Sequence, residues 1–387
     1  MIALINATIV LPDHYIRDGV LLMQDGRIVD FGEQNKVVVP SGAEVIDARG
    51  AYVGPGLIDI HTHAGGAHYF HENPQAAAEH HLKSGTTSLL PALAYWMNEA
   101  EYLTAISLIR AEMGHGSGRT IRGLYMEGPF LNPKYGAERE NLPWPEVVAP
   151  GQYERLVAAA GSLAKVWCVA PERRGVEGFV RYIHERYPEA LFSVAHSEAE
   201  PWQIELFIPL GLRLATHHTN ATGTIQRYPE CRGVCVDETV NYNDDITAEI
   251  ISDSRGIHVD PYMQRLIRKI KGRDRLILIS DATAHGGPVP KEGDYAGVTD
   301  LNFDYAGEIA GSKLTLSAAC GNFIKHTGAG LCDAFCHASR NPARLLGWTD
   351  RGEIRRGAVA DLVIVDAFMT VQQVFLDGEP LERIARN

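Results

Sequence analysis

From about residue 54 to 351 the chain alternates short apolar runs with longer amphipathic stretches. Residues 57–60, 87–92, 123–126, 166–169, 191–195, 212–215, 249–252 and 276–280 have the length and apolar content of buried strands. Residues 99–113, 151–160, 176–185 and 261–271 carry helical periodicity between them. Eight strands with helical crossovers predict an α/β architecture, a (β/α)8 TIM-like barrel. There is no short internal repeat and no low-complexity segment.

The flanks read differently. Residues 2–10 alternate loosely, and Asp25-Gly26 sits as a hairpin turn between Leu21-Leu22-Met23 and Arg27-Ile28-Val29. Strand character continues through 43–47. At the other end, residues 360–365 and 371–376 are apolar and are followed by the turn Asp377-Gly378. Neither flank is large enough to bury a core alone. The two ends are therefore expected to pair into one small β-sandwich module, residues 1–53 plus 352–387, with residues 54–351 forming the barrel.

With 387 residues, 45% hydrophobic and 22% charged, the chain has the size and composition of a globular enzyme. The net charge of −12 speaks against nucleic acid or an anionic membrane as partner. Six cysteines are present, and neither Cys231/Cys235 nor Cys332/Cys336 has Cys-x-x-Cys spacing. Buried free thiols and a cytoplasmic location are expected. The first thirteen residues lack a basic start and fit a strand better than a signal peptide. No apolar run approaches the ~20 residues of a membrane helix.

The chemistry gathers at the strand ends. Gly54-Pro55-Gly56 reads as a turn, followed by Leu57-Ile58-Asp59-Ile60 and then His61-Thr62-His63. On a strand, residues i and i+2 share a face, so His61 and His63 project together. Glu127 follows Tyr125-Met126, His196 follows Ser193-Val194-Ala195, His217 follows Leu214-Ala215-Thr216, and Asp281 follows Leu278-Ile279-Ser280. All fall at the C-terminal ends of barrel strands, where barrel enzymes place their chemistry. Imidazole and carboxylate donors suit a divalent metal such as Zn, Fe, Mn or Co. Such an ion lowers the pKa of a bound water, and a nearby carboxylate can take the water's proton. Asp281 is the candidate for that role.

The order His-x-His, Glu, His, His, Asp resembles the amidohydrolase superfamily. More narrowly, the chain resembles the N-acetylglucosamine-6-phosphate deacetylase family. The motifs are Pro55 to His63, Gly85-Thr86-Thr87-Ser88-Leu89-Leu90-Pro91, Met126-Glu127-Gly128-Pro129-Phe130-Leu131-Asn132-Pro133, Thr216-His217, Asn220-Ala221, Gly256-Ile257-His258-Val259 and Ser280-Asp281-Ala282-Thr283-Ala284. Gly311 to Thr315 and Asn341 to Gly347 extend the match over nearly the whole chain. The resemblance implies hydrolysis of the N-acetyl amide of an amino sugar phosphate; a homodimer is expected. It implies one or two metal ions: one held by Glu127, His196 and His217, a second by His61 and His63 with Glu127 bridging. It makes Asp281 the general base and acid, and makes His258 and Asn220-Ala221 contacts for the sugar phosphate.

Three departures bear on substrate. Where the family has Gly-Ala-His, this chain has Gly136-Ala137-Glu138, and an ionised carboxylate cannot donate a hydrogen bond. Either a neighbour such as His285 donates in its place, or Glu138 recognises a different substrate, another amide, a cyclic amide or a lactone. The phosphate-binding arginine corresponds to Arg227 or Arg232. His218-Thr219 replaces a usually apolar-aromatic pair. Among other residues, His71 is a candidate for the site mouth and His115 for a loop. His80 and His81 are expected at the surface of a helix. Trp144 is read as a lid or as loop packing, and the acidic run Asp237-Glu238 and Asp244-Asp245 as a solvated face. A non-catalytic barrel would show an eroded ligand set, and none is seen.

Overall fold

The structure, a computed structural model, describes residues 1–137, 139 and 142–381. Its centre is an eight-stranded parallel sheet in chain order: Leu57–Thr62, Thr86–Ala94, Leu124–Glu127, Ala164–Val169, Leu191–Val194, Leu212–Ala215, Thr247–Ile251 and Leu276–Ile279. All eight strands read from the apolar runs are present. The eighth strand closes toward the first where the Asp281 N–H donates to the His61 carbonyl at 2.9 Å. The strands are buried on both faces, as a parallel sheet sheathed in helices requires.

Helices Pro74–Lys83, Glu99–Glu112, Glu154–Ala160, Val176–Arg186, Pro201–Glu205, Val236–Tyr242, Pro261–Lys271 and Leu316–Thr327 follow the strands in turn. Their starts are chemically marked. Asn98 and Glu101 form a reciprocal capping box on the second helix. Asp260 accepts from the Tyr262 N–H ahead of Pro261, which needs no N–H there. Pro201–Glu205 and Val236–Tyr242 are too short to leave a periodic signal, and the sequence reading missed them.

The two chain ends do meet in one sheet. Tyr52–Pro55 lies between Ile2–Val10 and Leu362–Val365, and Val371–Leu376 continues beyond. Period-2 alternation divides the module's faces. Leu4, Leu21, Met23, Leu362, Ile364 and Phe375 share one interior cluster. Val363, Val365, Val374 and Leu376 point the other way and join the barrel core. The module thus packs on the barrel through the C-terminal strands.

Gly54-Pro55-Gly56 is not the turn that was expected. The chain runs from the module strand almost straight into the first barrel strand, with the Gly56 N–H bonded to the Asp361 carbonyl at 2.8 Å. Gly56 is needed for close approach: a Cβ there would lie 2.1 Å from Thr87 Oγ1. Among the described residues, no helix is long and apolar enough to cross a membrane.

Candidate active site

Six side chains converge at the C-terminal mouth of the barrel: His61, His63, Glu127, His196, His217 and Asp281. None is more than 8% exposed. Glu127 is the hub. Its Oε1 lies 3.1 Å from His196 Nε2 and 3.2 Å from His217 Nε2, and its Oε2 lies 3.2 Å from His63 Nε2. His61 Nε2 is 3.4 Å from His63 Nε2 and 3.8 Å from Glu127 Oε1. Asp281 Oδ1 stands 3.4 Å from His63 Nε2 and 3.6 Å from His61 Nε2.

Two overlapping donor groups result, His61–His63–Glu127 and Glu127–His196–His217. Donors 2.0–2.1 Å from one tetrahedral ion lie roughly 3.3–3.4 Å apart. The observed spacings of 3.1–3.4 Å between Nε2 atoms therefore fit a shared divalent ion in either group. The electrostatics agree. Burial works against a charged His63, yet Asp281 and Glu127 outweigh it and raise its pKa to about 10. His217 is raised to about 9 despite burial, chiefly by Glu127. Burial holds His196 below its ordinary value. Glu127, although buried, is held well below the carboxylate range by His196, His217 and His63. The cluster favours positive charge, which a bound cation provides.

The backbone is strained at these positions. His196, His217 and Asp281 have φ of 42°, 30° and 46°, in the left-handed region that non-glycine residues rarely occupy. Each lies just past its strand, where the turn swings the side chain in over the barrel mouth. Such strain gathers at functional sites. Gly136, with φ 98°, lets its loop press against the site: a Cβ there would fall 2.4 Å from Tyr95 Oη and 2.6 Å from His196 Nδ1.

A cavity of about 300 Å³ opens above the cluster. Of the substrate residues expected from the sequence, Asn220, Ala221, His258 and His285 line it. His258 is held by Asp253, whose Oδ2 accepts the His258 N–H at 2.8 Å and lies 3.3 Å from Nδ1. Burial opposes the charge on Asp253, but His258 and two backbone N–H groups hold its pKa well below the ordinary range. His258 Nε2 and Asn220 Nδ2 are buried and have no hydrogen-bond partner among the described residues.

Arg227 lies elsewhere. It sits on the exposed hairpin strand Gln226–Tyr228, outside the cavity lining, 2.5 Å from Glu200. Arg232, on the same hairpin, pairs with Glu238 at 2.5 Å. The arginine that does line the cavity among the described residues is Arg139, paired with Glu308 at 2.7 and 2.8 Å. The sequence reading missed it because nothing in the Ala137–Arg139 text marks a direction. Glu138 lies outside the described residues.

Several secondary readings change. His81 is fully buried, not at the surface, with Nε2 bonded to the Ala64 carbonyl at 2.8 Å beside Thr62 Oγ1 at 3.1 Å, so it braces the loop behind His63. His80 is half-buried and His115 is exposed in its loop. Trp144 is loop packing: its indole N–H donates to the Met97 carbonyl at 2.8 Å and its ring meets Phe130 edge-on. His71 packs against Tyr69 and Trp96, which line the cavity. Asp237 is half-buried, and burial raises its pKa to about 6, so it is not part of a solvated face. Cys231 is exposed and Cys332 half-buried, while Cys168, Cys235, Cys320 and Cys336 are buried free thiols. Glu249, buried under His61, went unnoticed because a lone acidic residue inside an apolar strand gives no pattern.

No family model matches the chain. Comparison with known structures nevertheless gives close likeness of fold. A crystal structure of N-acetylglucosamine-6-phosphate deacetylase from Pasteurella multocida superposes with a TM-score of 0.84 at 25% identity, over 99% of this chain and 100% of the other. Enamidase, described as a member of the amidohydrolase superfamily, shares the fold with a TM-score of 0.62 at 17% identity. Fold and site together liken the chain to the class that enamidase is described as joining, the amidohydrolase superfamily.

Within that class its similarity is to the amino-sugar-phosphate deacetylases. N-acetylglucosamine-6-phosphate deacetylase of Bacillus subtilis is 28% identical over 385 residues, 94% of this chain and 92% of that protein. N-acetylgalactosamine-6-phosphate deacetylase of Escherichia coli O157:H7 is 25% identical over 391 residues, 95% of each chain.

Proposed function

We propose that this protein is a metal-dependent deacetylase that hydrolyses the N-acetyl amide of N-acetylglucosamine 6-phosphate, giving glucosamine 6-phosphate and acetate. The observation that carries the reading is the shared Glu127 between two donor groups, with Asp281 against one of them, in a chain similar throughout to deacetylases of this kind. We assign one or two divalent ions, zinc by preference, to Glu127–His196–His217 and to His61–His63–Glu127. A divalent cation supplies Lewis acidity toward a carbonyl oxygen and a water. Asp281 accepts a proton from the attacking water as the new C–O bond forms. It returns that proton to the sugar nitrogen as the C–N bond breaks, so the amine leaves neutral beside acetic acid, whose remaining proton passes to the amine or to solvent to leave acetate.

Around that centre, His258, Asn220 and the Ala221 backbone are assigned to the sugar phosphate, and His285 to the acyl end. Arg139 is a nearer cation than Arg227 for an anionic group in the cavity. We divide the chain into the module 1–53 plus 352–387 and the catalytic barrel 54–351. Six free thiols speak for the cytoplasm. A homodimer is proposed from the row Tyr262, Leu266 and Ile270 on helix Pro261–Lys271, which leaves apolar side chains exposed four residues apart, beside exposed Tyr242 of the preceding helix. Light scattering at micromolar concentration should give twice the chain mass.

The deciding experiment is a panel of N-acetyl amino sugars assayed on zinc-, iron-, manganese- and cobalt-loaded protein. It should include the glucosamine and galactosamine epimers, each with and without the 6-phosphate. Turnover is expected to be highest with N-acetylglucosamine 6-phosphate. Failure to release acetate from any of them with every metal would overturn the reading. Glu138 supports a second reading, a related amide, cyclic amide or lactone, because its family position normally supplies an imidazole to the acyl carbonyl. If Glu138 is the specificity switch, Glu138→His raises kcat/KM for the acetylated sugar phosphate, since one oxyanion donor is worth roughly 10²–10³-fold. No gain in an already efficient enzyme removes that role.

A further inference from the structure

Below the metal-type cluster, the barrel interior holds a file of polar side chains that bears on one histidine. Glu249 projects from the middle of Thr247–Ile251 and is fully buried. Its Oε2 lies 3.2 Å from His61 Nδ1, accepts the Tyr125 hydroxyl at 3.3 Å and accepts the His217 backbone N–H at 3.2 Å. Its Oε1 has no hydrogen-bond partner among the described residues. The Tyr125 ring stacks on His61 with centroids 4.3 Å apart and planes 19° from parallel. The Tyr125 hydroxyl also meets Thr216 Oγ1 at 2.8 Å, and Thr216 Oγ1 meets Ser193 Oγ at 2.6 Å.

A buried carboxylate is costly unless something pairs with it. Here the one ring N–H within reach is on His61. Donation from Nδ1 to Glu249 fixes the tautomer that leaves the Nε2 lone pair facing His63, Glu127 and Asp281. The stacked Tyr125 ring fixes the plane of that imidazole. The other histidine pair is built differently: His196 Nδ1 and His217 Nδ1 are both buried without a hydrogen-bond partner among the described residues. Carboxylate support of a ring nitrogen is therefore confined to His61, and Glu249 reaches the other donor group only through the His217 backbone N–H.

We propose that Glu249 is a positioning residue that makes His61–His63–Glu127 a second cation site, separate in affinity from Glu127–His196–His217. It orients His61 and adds negative charge beneath the ion. This inference rests on the metal-dependent reading above. Partners of this kind behind a ligating histidine are worth 10–100-fold in metal affinity.

The test is titration of chelator-stripped protein with Zn²⁺ against a chromophoric competitor, with bound metal counted by elemental analysis. Wild type is expected to bind two equivalents. Glu249→Gln, which keeps the volume but replaces the carboxylate with a neutral amide, is expected to weaken one equivalent 10–100-fold and leave the other within about twofold. If Glu249→Gln does not fold, Glu249→Asp serves, since its shorter side chain withdraws the carboxylate from Nδ1 and should shift the same equivalent. The proposal is overturned if both equivalents bind as in wild type, if both weaken alike, or if wild type holds only one. An enzyme that binds two ions yet deacetylates no amino sugar leaves this inference standing and overturns the functional reading instead.

Discussion

Asp281 has φ 46°, and asparagine tolerates that region as well as aspartate does. Asp281→Asn therefore keeps the backbone and the volume of the residue, and removes its ability to take a proton together with the carboxylate charge beside His63. Turnover should fall ~10²–10⁴-fold while metal content stays at the wild-type value. Near-normal turnover would mean another group is the base. The identities of the six clustered residues were legible because each is a metal-type side chain directly after an apolar run. Their strain was not, since φ above zero at His196, His217 and Asp281 is imposed by the turn each strand makes over the mouth. Arg139 and Arg227 show the same limit from the other side: arginines in loops carry no periodicity that says which way they point, and the one named from sequence faces Glu200 instead of the cavity.

The elements themselves divide along similar lines. Strands that pack on both faces must be apolar throughout, so all eight barrel strands stand out in the sequence. The segments between them that shape the cavity do not. They include the Asn220-Ala221 turn after the sixth strand and, beyond the eighth strand, the hairpin Leu301–Phe303 with Ile309–Ser312; the short helix Val236–Tyr242, outside the cavity lining, is equally silent in the sequence. These are fixed by tertiary contacts, and Lys271 supplies one. It is the last residue of helix Pro261–Lys271 and only 1% exposed. Its ammonium donates to the carbonyls of Val240, Asn243 at 2.7 Å and Ile246 at 2.8 Å, tying down the end of the neighbouring helix and the approach to the seventh strand. Burial lowers its pKa to about 8, which still leaves it charged at neutral pH. Lys271→Met fills similar space but leaves three acceptors without their donor. We expect a loss of about 3 kcal/mol, read as a lower urea midpoint at unchanged slope. A midpoint within error of wild type would show that water takes over the three carbonyls.

At the scale of the whole molecule, the two chain ends and the barrel form one structure because alternate residues of Leu362–Val365 and Val371–Leu376 enter different cores. Pairing of the ends was inferable from strand content; the sharing of two cores was not, because period-2 alternation says that two faces exist and not what covers each. That construction also buries two histidines outside the cation cluster itself. His81 braces the loop after the first strand, and His337 packs edge-on against Phe323 beside Asn341, which bonds the Leu276 carbonyl at the start of the eighth strand. Burial lowers both pKa values from 6.5 to about 4. Each has one ring nitrogen that is buried without a partner, His81 Nδ1 and His337 Nε2, so a proton added there has no acceptor among the described residues. Between pH 6.5 and 4 such a histidine binds a proton in the unfolded chain but not in the folded one, so stability falls on acidification through that window and is flat above it. A shift of this size is worth about 3 kcal/mol per residue. Glu127 and Asp281, whose pKa values are depressed, add their own loss only as pH drops below the unfolded carboxylate range. In chelator, so that metal release does not contribute, each of the two histidines should therefore contribute a fall in unfolding free energy of up to about 1.4 kcal/mol per pH unit near pH 5.5; buried His218, also lowered to about 4, adds in the same sense, and Asp59 and Asp237, raised by burial to about 7 and about 6, oppose it. His81→Gln keeps a donor for the Ala64 carbonyl and removes one titrating group, so its pH dependence in that window should be shallower by close to one proton. An unchanged slope would mean that His81 gains access to water before it protonates.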